Sequence, residues 1–154
     1  MPPLKPGDKA PSFSVLSHKG REVCLVDFQG RIVVLYFYPR ALTPGCSREA
    51  VRFDELSKEF EECGAVIIGI STDPPERNRR FAEKLNVTRI IFLSDPDGSI
   101  AREYGVLKEG TKKPSARRVT FVLNTDLTVR EVLKNVKPAE RHADEALRIV
   151  KSMC

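Results

Sequence analysis

Cys46 lies in Tyr38-Pro39-Arg40-Ala41-Leu42-Thr43-Pro44-Gly45-Cys46-Ser47-Arg48-Glu49, and the residues before it give its sulfur the means to act as a nucleophile. Thr43 followed by Pro44 reads as an N-cap and a first helical position. With Thr43 as the N-cap, Cys46 falls at the third helical position. There, unpaired backbone N–H groups and the positive end of the helix dipole face the sulfur, and both favour thiolate over thiol. The chemistry on offer is attack by sulfur on an electrophile. Plainer readings stay open. A cysteine in a first helical turn also suits burial as a small hydrophobe, capping alone explains Thr43, and Gly45 could simply ease the turn.

The remaining metal-ligand types do not form a competing site. Cys24, Cys46, Cys63 and Cys154 are separated by 22, 17 and 91 residues, whereas zinc sites want ligands two to four residues apart, usually in two such pairs. His18 and His142 have no cysteine or carboxylate at ligand spacing that would make a convincing site, so no metal is expected. The segment MPPLKPGDKAP has no apolar stretch, so no secretory leader and no secreted disulfide framework are expected. The longest apolar run, Ile32–Tyr38, falls far short of the ~20 residues that cross a bilayer. A cytoplasmic protein without membrane contact is the expectation.

The 154 residues fit one domain, 1–154, with 41% hydrophobic and 31% charged residues, which excludes a disordered or fibrous chain. Twenty-six basic against 21 acidic residues give a net charge of +5. Yet the bases are interleaved with acids, and the densest patch, Lys112-Lys113 through Arg117-Arg118, carries no aromatic residues for base stacking. Nucleic acid is not an expected partner.

The elements that must position Cys46 follow from periodicity. Phe13–Leu16 and Val23–Val26 flank the polar Ser17-His18-Lys19-Gly20 as an antiparallel hairpin. Ile32–Tyr38 reads as a strand buried on both faces, closed by Pro39. From Pro44 to Glu62 the apolar residues at 50, 53, 56 and 60 keep the helical period, with Gly64 placed to cap it. Ala65–Ile70 is a second buried strand, Pro75–Leu85 a helix, Arg89–Leu93 a third strand, and a short helix ends at Gly105. Val119–Leu123 and Val129–Leu133 form a terminal hairpin, and a last helix after Pro138 carries Ala143, Leu147 and Val150 inward. This order predicts an α/β thioredoxin-like fold: an N-terminal β-hairpin extension and a mixed central sheet flanked by helices. Cys46 then follows the carboxyl end of a buried strand, where open α/β sheets place their crevices.

Pro39-x-x-x-Thr43-x-x-Cys46 resembles the active-site signature of the peroxiredoxins, thiol peroxidases that need no metal, haem or other cofactor. The longer string Phe37–Cys46 resembles the Q-type, or bacterioferritin comigratory protein, branch. The likeness runs over nearly the whole chain, through Leu4-Lys5-Pro6-Gly7-Asp8-Lys9-Ala10-Pro11, Gly69-Ile70-Ser71-Thr72-Asp73, Leu93-Ser94-Asp95, Tyr104-Gly105-Val106 and Arg118-Val119-Thr120-Phe121-Val122. The resemblance implies that Cys46 is the peroxidatic thiolate, attacking a hydrogen peroxide or small organic hydroperoxide oxygen to become a sulfenic acid. It implies that Thr43 hydrogen-bonds the peroxide, that Arg118 holds the thiolate and the developing charge, and that Pro39 shields the sulfur. Pro39, Thr43, Gly45 and Arg118 would line the substrate. For Arg118 a surface ion pair is the plainer reading, and Arg117 is the register alternative, pointing to the other face of a strand.

The chain departs from its relatives in resolution. Val51 stands where many Q-type members carry a resolving cysteine, and the helix Pro75–Leu85 holds none. Along one continuous helix Cys63 would lie ~25 Å from Cys46, beyond the under ~7 Å between Cα atoms that a disulfide requires. Cys24 reads as structural. Cys154, as a terminal residue expected to move freely, is the one possible internal resolver. The expectation is a monomeric one-cysteine peroxidase served by a thioredoxin-like or other thiol reductant. A non-enzymatic thioredoxin-fold redox sensor or holdase is the alternative.

Overall fold

A computed structural model describes residues 2–154, leaving only Met1 outside the description. The strands are β1 (Ser14–Leu16), β2 (Glu22–Cys24), β3 (Ile32–Phe37), β4 (Ala65–Ser71), β5 (Ile91–Ser94), β6 (Val119–Leu123) and β7 (Val129–Leu133). The helices are α1 (Pro44–Glu55), α2 (Ser57–Glu62), α3 (Pro75–Leu85), α4 (Ser99–Glu103) and α5 (Arg141–Met153). β1 and β2 form the separate antiparallel hairpin, and the other five strands form one sheet in the order β5-β4-β3-β6-β7. β3 runs parallel to β4 and antiparallel to β6. The mixed sheet and hairpin extension expected from the sequence are present.

β3 explains why the core has two halves. All six of its residues are buried, and successive side chains point to opposite faces. Val34 and Tyr36 join Phe53, Phe60, Phe81 and the inner residues of α5 on one face. Val33, Leu35 and Phe37 join Leu25, Tyr104 and Phe121 on the other. Tyr36 stacks on Phe53 with ring centroids 4.4 Å apart. Its strand neighbour is Gly69, where an added Cβ would stand 2.9 Å from the tyrosine ring, so only glycine leaves the ring its place.

Three local expectations are corrected. The second hairpin strand ends at Cys24, and the chain turns through a 3-10 helix, Leu25–Phe28, that buries Leu25 and leaves Val26 exposed. The helix read as continuous from Pro44 to Glu62 breaks at Leu56, where no proline or glycine interrupts the helical period. The carboxylate of Asp54, just before the break, accepts the backbone N–H groups of Thr88 and Arg89 and so ties this turn to the chain entering β5. Cys154 is not a free end, because it is disulfide-bonded to Cys63 with their Cα atoms 5.3 Å apart. That bond staples the end of α5 to the α2–β4 junction, a contact that sequence separation conceals. No helix among the described residues is long and apolar enough to cross a membrane.

Candidate active site

The register of β3 and β6 decides which side chains meet. Phe37, the last residue of β3, pairs with Val119, the first of the antiparallel β6. The residue before β6 therefore lies beside the loop that leaves β3. That residue is Arg118, preceding the strand rather than lying within it. Its Nη2 lies 3.4 Å from Cys46 Sγ, and its Nη1 donates to Glu49 Oε1 at 2.5 Å. Arg117 turns elsewhere and donates to the Gly105 carbonyl at 2.7 Å.

Cys46 occupies the third position of α1 and is 2% exposed. Glu49 follows one turn later, on the same helix face, and is fully buried. Burial pushes its carboxyl up to about 8, and the Arg118 guanidinium only partly opposes that rise. Burial likewise works against the charge of Arg118, but Glu49 and Cys46 outweigh it and hold the guanidinium above its ordinary range. The result is one cation fixed between a carboxyl group and a sulfur. Tyr36 and Tyr38, buried nearby, are held neutral chiefly by desolvation.

Gly45 has a specific reason to be glycine. A Cβ there would stand 3.2 Å from Arg118 Nη2, so the missing side chain makes room for the guanidinium above the first helical turn.

The loop carrying Pro39–Thr43 is held on several sides. Tyr38 donates to Asn78 Oδ1 at 2.5 Å, and Asn78 in turn donates to the hydroxyls of Ser71 and Ser94. The Ala41 N–H donates to Asp73 and its carbonyl accepts from Arg77, while Asp73 and Arg77 pair with each other at 3.0 Å. Ser115 donates to the carbonyl of half-buried Pro39. Thr43 does stand at the N-cap with extended backbone, but its side chain makes no cap bond. Its hydroxyl donates instead to the Arg40 carbonyl at 2.7 Å. This corrects the capping expectation: the first-turn N–H groups of Gly45 and Cys46 are not taken by Thr43 and stay available to another acceptor.

Sequence reasoning gave no role to Glu49, Asn78 or Asp73, and weighed His142 only as a metal ligand. The signal that could have found Glu49 is its place three residues after Cys46, on the same helix face. His142, on α5, is buried and lies 2.9 Å through Nδ1 from Thr120 Oγ1. Burial first, and Arg118 second, push it down to about 4. Val51 and its neighbours Ser47, Arg48, Arg52 and Glu55 on the outer face of α1 offer no thiol, and Cys24 lies on the hairpin with its sulfur 3.3 Å from Ser14 Oγ. Among the described residues no group of three or more His, Cys, Asp or Glu could hold a metal ion.

The model of the AhpC/TSA family matches residues 6–132. The chain belongs to that family. Peroxiredoxin Bcp of Escherichia coli strain K12 is 40% identical over 146 residues, covering 92% of this chain and 93% of that protein. The chloroplastic peroxiredoxin Q of Gentiana triflora is 37% identical, covering 95% of this chain and 66% of that protein. Among solved structures, peroxidoxin BcpB of Mycobacterium tuberculosis superposes with a TM-score of 0.91 at 37% identity, covering 98% of this chain and 99% of that one. Peroxiredoxin Q of Xanthomonas campestris gives 0.84 at 30% identity, over 91% and 90% of the two chains. This chain is thus a peroxiredoxin of the Q-type, Bcp-like branch with the thioredoxin-like fold. Membership implies peroxidase activity, and the thiol available at the peroxiredoxin signature is Cys46.

Proposed function

We propose that this peroxiredoxin reduces hydrogen peroxide and small organic hydroperoxides at Cys46, with an external thiol as resolver. The observation that carries the reading is Arg118 between Cys46 and Glu49. The Cys46 thiolate attacks the hydroperoxide oxygen; an S–O bond forms and the O–O bond breaks. The departing oxygen takes a proton and leaves as alcohol or water, and Cys46 becomes a sulfenic acid. Negative charge moves from sulfur to the leaving oxygen, so a fixed cation and first-turn N–H groups along that path favour the transition state over the ground state. Thr43 directs the peroxide through its hydroxyl, and Pro39 keeps bulk water from the sulfur. An external thiol, thioredoxin-like or small, then condenses with the sulfenic acid, releasing water, and a second thiol frees Cys46. The reaction takes place on a monomer in the cytoplasm, where thiol reductants are maintained.

The Cys63–Cys154 pair supports a second reading, in which these two thiols take up the oxidising equivalents. Intact-mass analysis separates the two. Reduced, desalted protein given one equivalent of hydrogen peroxide should gain one oxygen on Cys46, and a second at higher dose. A loss of two hydrogens, with Cys63 joined to Cys154 and Cys46 again a thiol, would establish the two-cysteine route. A Cys46–Cys154 peptide would make Cys154 the direct resolver.

A further inference from the structure

A cavity of about 450 Å³ is lined in part by Arg118 but not by Cys46. Its wall is made by Arg117 and Arg118, by Lys134, Asn135 and Lys137 in the segment after β7, and by His142 of α5. The volume suits a small ligand. Four of these side chains are cations, and no carboxylate lines the space.

Several arginines outside this wall pair with acids, Arg52 with Asp144, Arg77 with Asp73 and Arg89 with Glu61, and Arg118 itself holds Glu49. Arg117, Lys134 and Lys137 make no ion pair among the described residues. Glu140, the acid nearest this wall in sequence, faces Arg48 at 3.6 Å. The cavity is therefore a concentration of unpaired positive charge in a concave setting, where anions are favoured.

Its wall is also ordered from behind. His142 is tied to Thr120 of β6 through one ring nitrogen, and its other side faces the Val136 main chain in the segment that carries Lys134 and Lys137. Ala139, another wall residue, approaches Gly45 on the first turn of α1, with 4.0 Å between its Cβ and a Cβ built at Gly45. The cavity and the Cys46 site share Arg118 and adjoin at Gly45.

We propose that this cavity binds the carboxylate or phosphate group of a small anionic ligand, and that its occupancy is felt at Cys46 through Arg118. The coupling rests on the peroxidase reading above; the binding does not. Two sources share this chemistry. The anion is either the acidic end of a hydroperoxide substrate or a free oxyanion that draws the guanidinium away from the sulfur. Planar Arg forks and mobile Lys charges together accept either group.

The test uses the intact chain and the double variant Lys134→Gln/Lys137→Gln, neither residue belonging to the Cys46 machinery. At fixed ionic strength, calorimetric titration with inorganic phosphate should show binding that weakens by about tenfold or more in the variant. Hydrogen peroxide turnover without phosphate should be the same in both. A substrate source shows as a lower KM for an aliphatic hydroperoxide bearing a terminal carboxylate than for its methyl ester, a gap that closes in the variant. A free-oxyanion source shows as slower Cys46 oxidation by hydrogen peroxide when phosphate is added to the wild type, with acid and ester alike. Phosphate binding unchanged in the variant, or neither binding nor a gap, overturns the site. Binding with no kinetic consequence overturns the coupling. Phosphate binding in a chain that consumes no peroxide leaves the site standing and removes the peroxidase reading instead.

Discussion

Arg118 divides its guanidinium between a sulfur and a buried carboxyl group, so removing it uncovers both. Arg118→Ala should slow Cys46 oxidation by roughly 10²–10³-fold, the loss found when one oxyanion donor is removed. Arg118→Lys should recover only part, since a point charge cannot serve two partners as a planar fork does. Stopped-flow oxidation rates check both, and a near-normal rate for the alanine variant would contradict the role. Glu49 gives a prediction with a sign. Its folded carboxyl lies at about 8 against an ordinary 4.5, so the folded state holds this proton more tightly than the unfolded chain. The stability this contributes is fully present below pH 4.5 and is lost as pH rises through about 8. His142, pushed from 6.5 to about 4, runs the other way: its contribution is present above 6.5 and is lost as pH falls through about 4. Of the two, Glu49 is the one that acts between pH 6.5 and 8, so wild-type unfolding free energy should fall across that window more steeply than that of Glu49→Gln. Equal slopes in urea titrations would contradict it. Cys46, Thr43 and Arg118 could be singled out in the sequence because their types and spacing match a known signature, and the fold does bring Arg118 to Cys46. Glu49 could not be, because a glutamate among arginines reads as solvated surface until the packing of α1 shows it buried.

The elements were legible where the chain punctuates itself. Pro75 and Leu85 bound α3, and β6 and β7 occupy the spans set by their apolar runs and the polar residues between them. The break at Leu56 was not, since only Asp54's bonds to the Thr88–Arg89 backbone mark that turn. The Cys63–Cys154 bond was hidden for a different reason: 91 residues separate its partners, and nothing local signals a contact made by folding. Closing so long a loop restricts the unfolded chain, and its loss should cost roughly 2–4 kcal/mol. Cys154→Ser should lower the urea midpoint accordingly while leaving Cys46 oxidation by peroxide near its wild-type rate. Collapse of that rate with the fold intact would assign the pair a part in the chemistry and not only in the staple.

At the scale of the whole molecule, topology does the positioning. A parallel neighbour on one side of β3 and an antiparallel neighbour on the other bring the end of β3, the start of α1 and the entry to β6 to one edge of the sheet. The order of elements was readable from alternating periods; the register that selects Arg118 over Arg117 was settled by the pairing of Phe37 with Val119. Two buried cores, one on each face, make that edge rigid enough to hold a cation 3.4 Å from a sulfur. The central claim is that this edge does its chemistry through Cys46 alone. Steady-state hydroperoxide consumption, with a small dithiol as reductant, tests it directly in wild type and in Cys46→Ser shown by circular dichroism to be folded. A serine hydroxyl without an activating base is too weak a nucleophile at neutral pH, so the variant's rate should fall to that of the dithiol alone. Turnover retained by the folded variant would contradict the account.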